Sequence, residues 1–227
     1  MSDIYSEKPW QKSYDEHVRP SLEYEDKTFA QKFKETAQRY ADKTALIYLG
    51  KRLSFKDIDR LSDRLAAYFI QNGLKPDDVV GLHLPNIPAN YISVVAVQKA
   101  GAVSTGLSPL LTPQEMEHQL RDAKVKMVVT VDVLFEKIKE VAPQADFSHV
   151  LVAEIADYLP KVKAVLGKML KKIPVGTCEP LPGKTVIRFP AALAGMPDEP
   201  VMVPRTMDDT IFLMYTGGTT GPAKGAV

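Results

Sequence analysis

The amino-acid sequence predicts an α/β fold with a mostly parallel β-sheet flanked by helices. From residue 77 onward, short apolar runs alternate with segments of helical period, and the centres of the runs recur about every 23 residues. This spacing is typical of β-α-β units, in which a helix returns the chain to start the next parallel strand. A last apolar run, 210–215, stops in a stretch rich in glycine and threonine.

The first 75 residues predict a different arrangement. Residues 1–27 mix charges with aromatic side chains and show no clean period, so we expect an N-terminal extension anchored on the surface by its aromatic residues. Capping residues, apolar stripes at helical spacing and a turn at Gly50-Lys51 then indicate a helix-hairpin-helix segment over 28–75. Its expected elements are a helix over 29–40, strands over 44–49 and 52–55, and a helix from Ser54 that ends before Gly73.

The elements of the predicted sheet follow over 76–227. The expected strands cover 79–84, 102–107, 125–130, 149–153, 185–189 and 210–215. The expected helices cover 88–100, 113–123 and 133–142. Residues 155–205 break the alternation and become rich in proline and glycine, so we interpret them as a variable insert in the α/β subdomain.

Within this insert, residues 160–173 predict a basic amphipathic helix. Apolar side chains share one helical face and lysines crowd the rest, a pattern that suits an anionic membrane surface. The alternative is a helix packed on the protein with a solvated charged face. No run approaches the ~20 apolar residues of a membrane span, and the first residues do not resemble a signal peptide. We expect a cytoplasmic protein, with peripheral contact at the inner membrane face as an open alternative.

Composition narrows the function classes. A hydrophobic content of 45% with 25% charged residues is ordinary for a globular protein. The formal net charge of +1 gives no reason to expect a nucleic-acid partner. The single cysteine, Cys178, cannot form an internal disulfide, which fits a reducing compartment.

The stretch after the last predicted strand has the composition of a phosphate-binding loop. Residues 216–225 contain four glycines, three threonines and one lysine. Glycine lets backbone N–H groups approach oxygen closely, threonine adds hydroxyl donors, and lysine adds a mobile positive charge. This is not a Walker loop, because Lys224 is followed by Gly225 rather than by Ser or Thr. The alternative is an ordinary turn without a ligand.

The residue order there resembles a known signature. Residues 215–226 read Tyr-Thr-Gly-Gly-Thr-Thr-Gly-Pro-Ala-Lys-Gly-Ala. They resemble the phosphate-binding motif of the AMP-forming adenylating enzymes, the superfamily of acyl-CoA synthetases, firefly luciferase and peptide-synthetase adenylation domains. Gly217 replaces the usual Ser and Ala223 the usual Pro, as in the bacterial long-chain fatty acyl-CoA synthetase branch. Stretches 84–88, 99–103 and 109–120 are also similar to early motifs of that branch.

The resemblance implies a function and a set of site residues. It implies activation of a fatty acid with ATP to an acyl-adenylate and transfer of the acyl group to coenzyme A, with Mg²⁺ assisting. It implies that Lys224 is catalytic and neutralises the leaving pyrophosphate. No residue is assigned as a metal ligand. The implied phosphate-binding residues are Thr216, Gly217, Gly218, Thr219, Thr220, Gly221, Lys224 and Gly225.

Superfamily members are much longer than this chain. We therefore expect it to be part of the large N-terminal domain of an acyl-adenylating enzyme, inactive alone and prone to association, for example as a homodimer. The alternatives are another acid–CoA ligase or adenylating enzyme and, from a different class, a non-catalytic nucleotide-binding module. His83, Lys99 and His118 have no partners at ligand spacing, so we do not expect them to be catalytic.

Overall fold

The structure is a computed structural model that describes residues 3–159, 164, 166–167, 169–170, 173–218 and 221–227. Most of the helix predicted over 160–173 lies outside the described residues. Within them, no helix is both long enough and apolar enough to cross a membrane.

Helices and one hairpin precede the central sheet. The elements are α1 (Ile4–Glu7), α2 (Phe29–Arg39), β1 (Thr44–Tyr48), β2 (Lys51–Ser54) and α3 (Phe55–Gln71). Strands β1 and β2 are antiparallel, as predicted. Thr28 and Ser54 start their helices with capping boxes, in which the hydroxyl accepts from a backbone N–H and a side chain reaches back to the cap. These local signals explain why both helix starts were predictable.

Over the residues that the structure describes, the central sheet has seven strands. They are β3 (Val79–His83), β4 (Val103–Gly106), β5 (Val125–Val131), β6 (His149–Ala153), β7 (Thr185–Arg188), β8 (Phe212–Gly218) and β9 (Gly221–Ala226). The helices between them are α4 (Pro88–Lys99), α5 (Pro113–Asp122), α6 (Phe135–Val141) and α7 (Phe189–Leu193). The strand order is β7-β6-β5-β3-β4-β8-β9, and every neighbouring pair is parallel except β8 and β9. The predicted fold class is confirmed.

Helices cover both faces of the sheet and form two hydrophobic cores. On β5, Met127 and Val129 belong to the core that includes α3 and α4, whereas Val128 belongs to the core that includes α5 and α6. This alternation follows from the two-residue period of a strand. Because both faces are buried, the central strands are apolar almost throughout, which is why they were recognisable in the sequence.

A buried ion cluster joins α2, α3 and α4. The Lys99 side chain is fully buried, and its Nζ lies 2.7 Å from Asp59 Oδ1 and 2.6 Å from Asp63 Oδ1. Lys34 on α2 contacts the other oxygens of the same carboxylates, at 2.7 and 3.4 Å. Asp63 Oδ1 also accepts the backbone N–H of Val201 at 3.1 Å, which fixes the segment before β8. Lys99 therefore links α4 to α3, and Lys34 links α2 to the same carboxylates.

Two expectations are wrong in detail. The last predicted strand begins at Phe212 and continues to Gly218, and residues expected to form a loop instead form β9. Pairing with β8 supplies the backbone hydrogen bonds that a glycine-rich sequence can use without side-chain support. Of the four aromatic residues expected to anchor the first segment, Tyr5 and Tyr24 do not, since they are 74% and 77% exposed, whereas Trp10 and Tyr14 are 40% and 43% exposed. The division into 1–27, 28–75 and 76–227 stays a prediction.

Candidate functional site

The antiparallel pair formed by β8 and β9, residues 212–218 and 221–226, is named the glycine hairpin. Strand β8 pairs with β4 only near its start, where Ser104 faces Phe212 and Thr105 faces Leu213. Beyond Leu213, the register partners of β8 are all in β9. The hairpin thus extends past the carboxyl end of β4. In α/β sheets, ligands bind at this end of the strands.

The hairpin brings together the described residues of the predicted site. These are Thr216, Gly217 and Gly218 in β8, and Gly221, Lys224 and Gly225 in β9. Thr216 is the register partner of Lys224, and Gly218 is that of Gly221. Thr219 and Thr220 lie outside the described residues. Phosphate binding by this set stays a prediction.

A cleft of about 480 Å³ opens beside the hairpin. Its walls come from the end of β4, from α5 and from the hairpin, including Gly106, Ser108, His118, Tyr215, Gly221 and Ala223. Small-molecule sites commonly enclose about 300–1,000 Å³, so the cleft has the size of a ligand site.

Two hairpin glycines differ in what surrounds them. A Cβ added at Gly225 would lie 3.1 Å from the ring of Tyr215, a tight contact that would force the ring to shift by a few tenths of an ångström. A Cβ added at Gly221, which lines the cleft, would meet no atom of the described residues within 4 Å beyond its chain neighbours. Packing against the described residues therefore does not explain Gly221, whereas close approach of a ligand would.

Lys224 is the positive charge of the hairpin. It is exposed, and it makes no ion pair or side-chain hydrogen bond with any residue that the structure describes. Its neighbour Ala223 lines the cleft, and a lysine without a partner among the described residues is available to a phosphate as a mobile point charge.

Helix α5 contacts the hairpin through residues that sequence reasoning did not assign. His118 Nε2 lies 3.1 Å from the carbonyl oxygen of Ala223, and the Tyr215 hydroxyl donates to Asp122 Oδ2 at 2.5 Å. Burial and the Asp122 carboxylate raise the pKa of Tyr215, which keeps its hydroxyl protonated and able to donate. Polar residues on α5 gave no signal in the sequence, because their partners lie about a hundred residues away.

The other candidate histidine, His83, lies inside the sheet. Its side chain is fully buried on β3, and its Nδ1 lies 3.0 Å from the hydroxyl of Thr130. Burial, together with the positive charge of Lys137, lowers the pKa of His83 to about 4, so the ring is neutral at pH 7. A neutral, fully buried His83 contributes to packing within the sheet.

The carboxylate of Glu115, which lines the cleft, is already hydrogen-bonded within the protein. Glu115 accepts hydrogen bonds from the backbone N–H and the hydroxyl of Thr112, at 2.7 and 2.9 Å, and these bonds lower its pKa. Among the described residues, no group of three or more His, Cys, Asp or Glu side chains is arranged to hold a metal ion. We therefore assign no residue of this chain to magnesium.

Comparison with solved structures agrees with the fold. A long-chain-fatty-acid-CoA ligase from Archaeoglobus fulgidus matches with a TM-score of 0.70 at 20% identity, over 92% of this chain and 37% of that one. An anthranilate CoA ligase in complex with anthranoyl-AMP matches with a TM-score of 0.72 at 19% identity, over 88% of this chain and 34% of that one. At such identity the likeness shows the fold alone.

Sequence comparison gives the family. Two proteins named long-chain-fatty-acid–CoA ligase are similar: one from Bacillus subtilis (strain 168), 34% identical over 99% of this chain, and one from Escherichia coli O157:H7, 32% identical over 86% of it. The chain spans 40% and 35% of the lengths of these relatives. The family model described as AMP-binding enzyme matches residues 33–227. This match, on a chain with the fold of acyl-CoA ligases and the glycine hairpin at the expected edge, shows that the chain belongs to the AMP-binding enzyme family.

Proposed function

We propose that this chain provides the ATP-phosphate site of a long-chain fatty acid–CoA ligase. The proposed enzyme converts a fatty acid and ATP to an acyl-adenylate and pyrophosphate, then transfers the acyl group to coenzyme A. The names of its relatives support the substrate class, and membership of the AMP-binding family supports the use of ATP.

One observation carries the proposal. Strand β9 carries Gly221, which lines the cleft and where an added Cβ would meet no described side chain or backbone atom, and Lys224, which has no ion-pair partner among the described residues and follows the cleft-lining Ala223 directly. A phosphate chain needs a cation and unobstructed backbone N–H groups, and the hairpin supplies both types of group. The eight predicted residues from Thr216 to Gly225 are proposed to act together in this role.

The chemistry explains why such a site is needed. In the first step a carboxylate oxygen attacks the α-phosphorus of ATP, and the bond to the β-phosphate oxygen breaks. Both reactants are anionic, and negative charge grows on pyrophosphate as it leaves. Lys224 is proposed to lower this barrier by electrostatic stabilisation of the leaving group and to transfer no proton. Magnesium would enter with ATP, held by phosphate oxygens.

We also propose that these 227 residues do not complete the reaction alone, because they span only 40% of the Bacillus subtilis relative. No residue of this chain is assigned to the acyl pocket or to coenzyme A. In the second step the thiol of coenzyme A attacks the acyl carbonyl and AMP leaves, and this step would use residues outside the chain.

The test is exchange of labelled pyrophosphate into ATP, which reports formation of the acyl-adenylate. It would be run on the 227-residue chain and on the product of the complete gene, with palmitate and acetate as substrates. We expect exchange only by the complete product and only with palmitate. Equal exchange with acetate would indicate another acid–CoA ligase, and ATP binding without any exchange would indicate a nucleotide-binding module.

Peripheral membrane contact through 160–173 is a further part of the proposal, consistent with a cytoplasmic enzyme that takes its substrate from a bilayer. Three apolar side chains described there are exposed: Leu166 by 46%, Met169 by 70% and Leu170 by 57%. Exposed apolar groups next to lysines suit an anionic lipid surface. Changing Lys168, Lys171 and Lys172 to Glu should abolish sedimentation with anionic liposomes, and unchanged sedimentation would contradict the idea. Homodimer formation stays a prediction.

A further inference from the structure

Helix α5 touches both strands of the glycine hairpin from one of its faces. His118 and Asp122 are four residues apart, so their side chains lie one above the other on the helix. His118 Nε2 lies 3.1 Å from the carbonyl oxygen of Ala223 in β9. Asp122 Oδ2 accepts from the hydroxyl of Tyr215 in β8 at 2.5 Å.

The hairpin depends on contacts from outside the sheet, because the neighbouring strand β4 pairs only with its first two residues, Phe212 and Leu213. The register of β8 with β4 stops at Leu213, and β9 is the last strand of the sheet. A two-stranded ribbon is marginally stable on its own in water. Among the described residues, the polar side-chain contacts to the hairpin beyond Leu213 come from His118 and Asp122.

Helix α5 is itself fixed to the sheet, through a residue that lies between His118 and Asp122. Gln119 is buried, and its Nε2 donates to Thr105 Oγ1 and to the carbonyl oxygen of Gly106, both at 2.9 Å. Thr105 Oγ1 in turn donates to the carbonyl oxygen of Leu213 at 3.0 Å. Helix α5, β4 and the start of β8 therefore form one hydrogen-bonded unit, from which His118 and Asp122 reach the hairpin.

We propose that His118 and Asp122 are positioning residues that hold the glycine hairpin, and with it Lys224, in the geometry that receives the ATP phosphates. The carbonyl that His118 fixes belongs to the residue directly before Lys224. A displaced Ala223 carbonyl would therefore displace the lysine as well. Only the functional half of this inference, the effect on ATP, rests on the proposed function.

The first readout is hydrogen–deuterium exchange of peptides covering 212–227 in the product of the complete gene. His118→Leu and Asp122→Ala should each make the hairpin amides exchange about five-fold faster, the factor expected for loss of one hydrogen bond. His118→Gln should behave as wild type, because the glutamine amide can donate from nearly the position of Nε2. Arg121→Ala is the matched control, since Arg121 is exposed on the same helix and pairs only with Glu117 among the described residues.

Two results would overturn the proposal. One is unchanged exchange in the hairpin of His118→Leu and Asp122→Ala. The other is acceleration that is equal in β3 and β5, because a contact that only supports overall stability would affect the whole sheet. Tyr215→Phe removes the hydroxyl alone and should reproduce the local effect of Asp122→Ala with little change in packing.

The second readout is pyrophosphate exchange by the same variants. His118→Leu should raise KM for ATP about five-fold and leave KM for the fatty acid unchanged, and His118→Gln should restore the wild-type value. Equal changes in both KM values would contradict the positioning role. Absence of activity in the wild type would refute the proposed function, while the exchange of hairpin amides would still decide whether α5 holds the hairpin.

Discussion

Replacing Lys99 with methionine tests how much the buried ion cluster contributes to the free energy of unfolding. The methionine fills most of the lysine volume but removes the ammonium, which is fully buried and makes hydrogen bonds to Asp59 O, Asp59 Oδ1 and Asp63 Oδ1 at 2.9, 2.7 and 2.6 Å. Two carboxylates then share one remaining cation, Lys34. We expect a large loss of stability with the fold preserved.

The magnitude follows from burial. Removing one partner of a buried ion pair costs about 3–5 kcal/mol, because an uncompensated charge stays in a medium of low dielectric constant. Lys34 still contacts both carboxylates, which places the expected loss near the lower limit, about 3 kcal/mol. Most of the cost arises because the carboxylates lose their partner ammonium. Asp63→Asn removes one of these negative charges, so the double variant Lys99→Met, Asp63→Asn should be more stable than Lys99→Met.

The assay is urea unfolding followed by circular dichroism. With a slope of about 3 kcal/mol per molar urea, the midpoint of Lys99→Met should fall by about 1 M. Lys139→Met is the matched control: Lys139 pairs with Glu179 at 2.6 Å, but both side chains are nearly half exposed, so its midpoint should hardly move. Equal midpoints for the two methionine variants would refute the reasoning, as would a double variant less stable than Lys99→Met.

Two further predictions concern His83 and the hairpin glycines. The folded-state pKa of His83 is lowered to about 4, so the unfolded state takes up a proton first and the free energy of unfolding should fall as pH drops from about 6.5 towards 4. His83→Gln should flatten this fall by up to about 3 kcal/mol, and identical pH profiles of urea midpoints for variant and wild type would contradict it. Gly225→Ala should lower the thermal midpoint because its Cβ would press on the Tyr215 ring, whereas Gly221→Ala should leave that midpoint unchanged and weaken ATP binding. Unchanged ATP affinity in Gly221→Ala would show that the space beside it is not used by the nucleotide.

Local signals made most elements predictable. The capping boxes at Thr28, Ser54 and Thr112 act within four residues, and the strand periodicity reflects burial on both faces of the sheet. Strand β9 was missed because Gly-Pro-Ala-Lys-Gly-Ala has low intrinsic β-propensity, and its conformation depends on pairing with β8.

The candidate site was only half visible in the sequence. Composition and motif order predicted the hairpin residues, since their chemistry lies in adjacent positions. His118 and Asp122 were not assigned, because their partners are 105 and 93 residues away and are met only in the folded chain. The same holds for Lys99, whose carboxylate partners are 40 and 36 residues away.

The central claim is that Lys224 serves the phosphates of ATP, and one measurement tests it most directly. Palmitate-dependent exchange of labelled pyrophosphate into ATP would be compared for the wild type, Lys224→Gln and Lys126→Gln in the product of the complete gene. Lys126 is an exposed lysine near the start of β5, at the amino end of the parallel strands, whereas the glycine hairpin lies beyond the carboxyl end of β4. We expect Lys224→Gln to lower the exchange rate about 100-fold and Lys126→Gln to leave it unchanged. Equal rates for the two variants would contradict the role of Lys224.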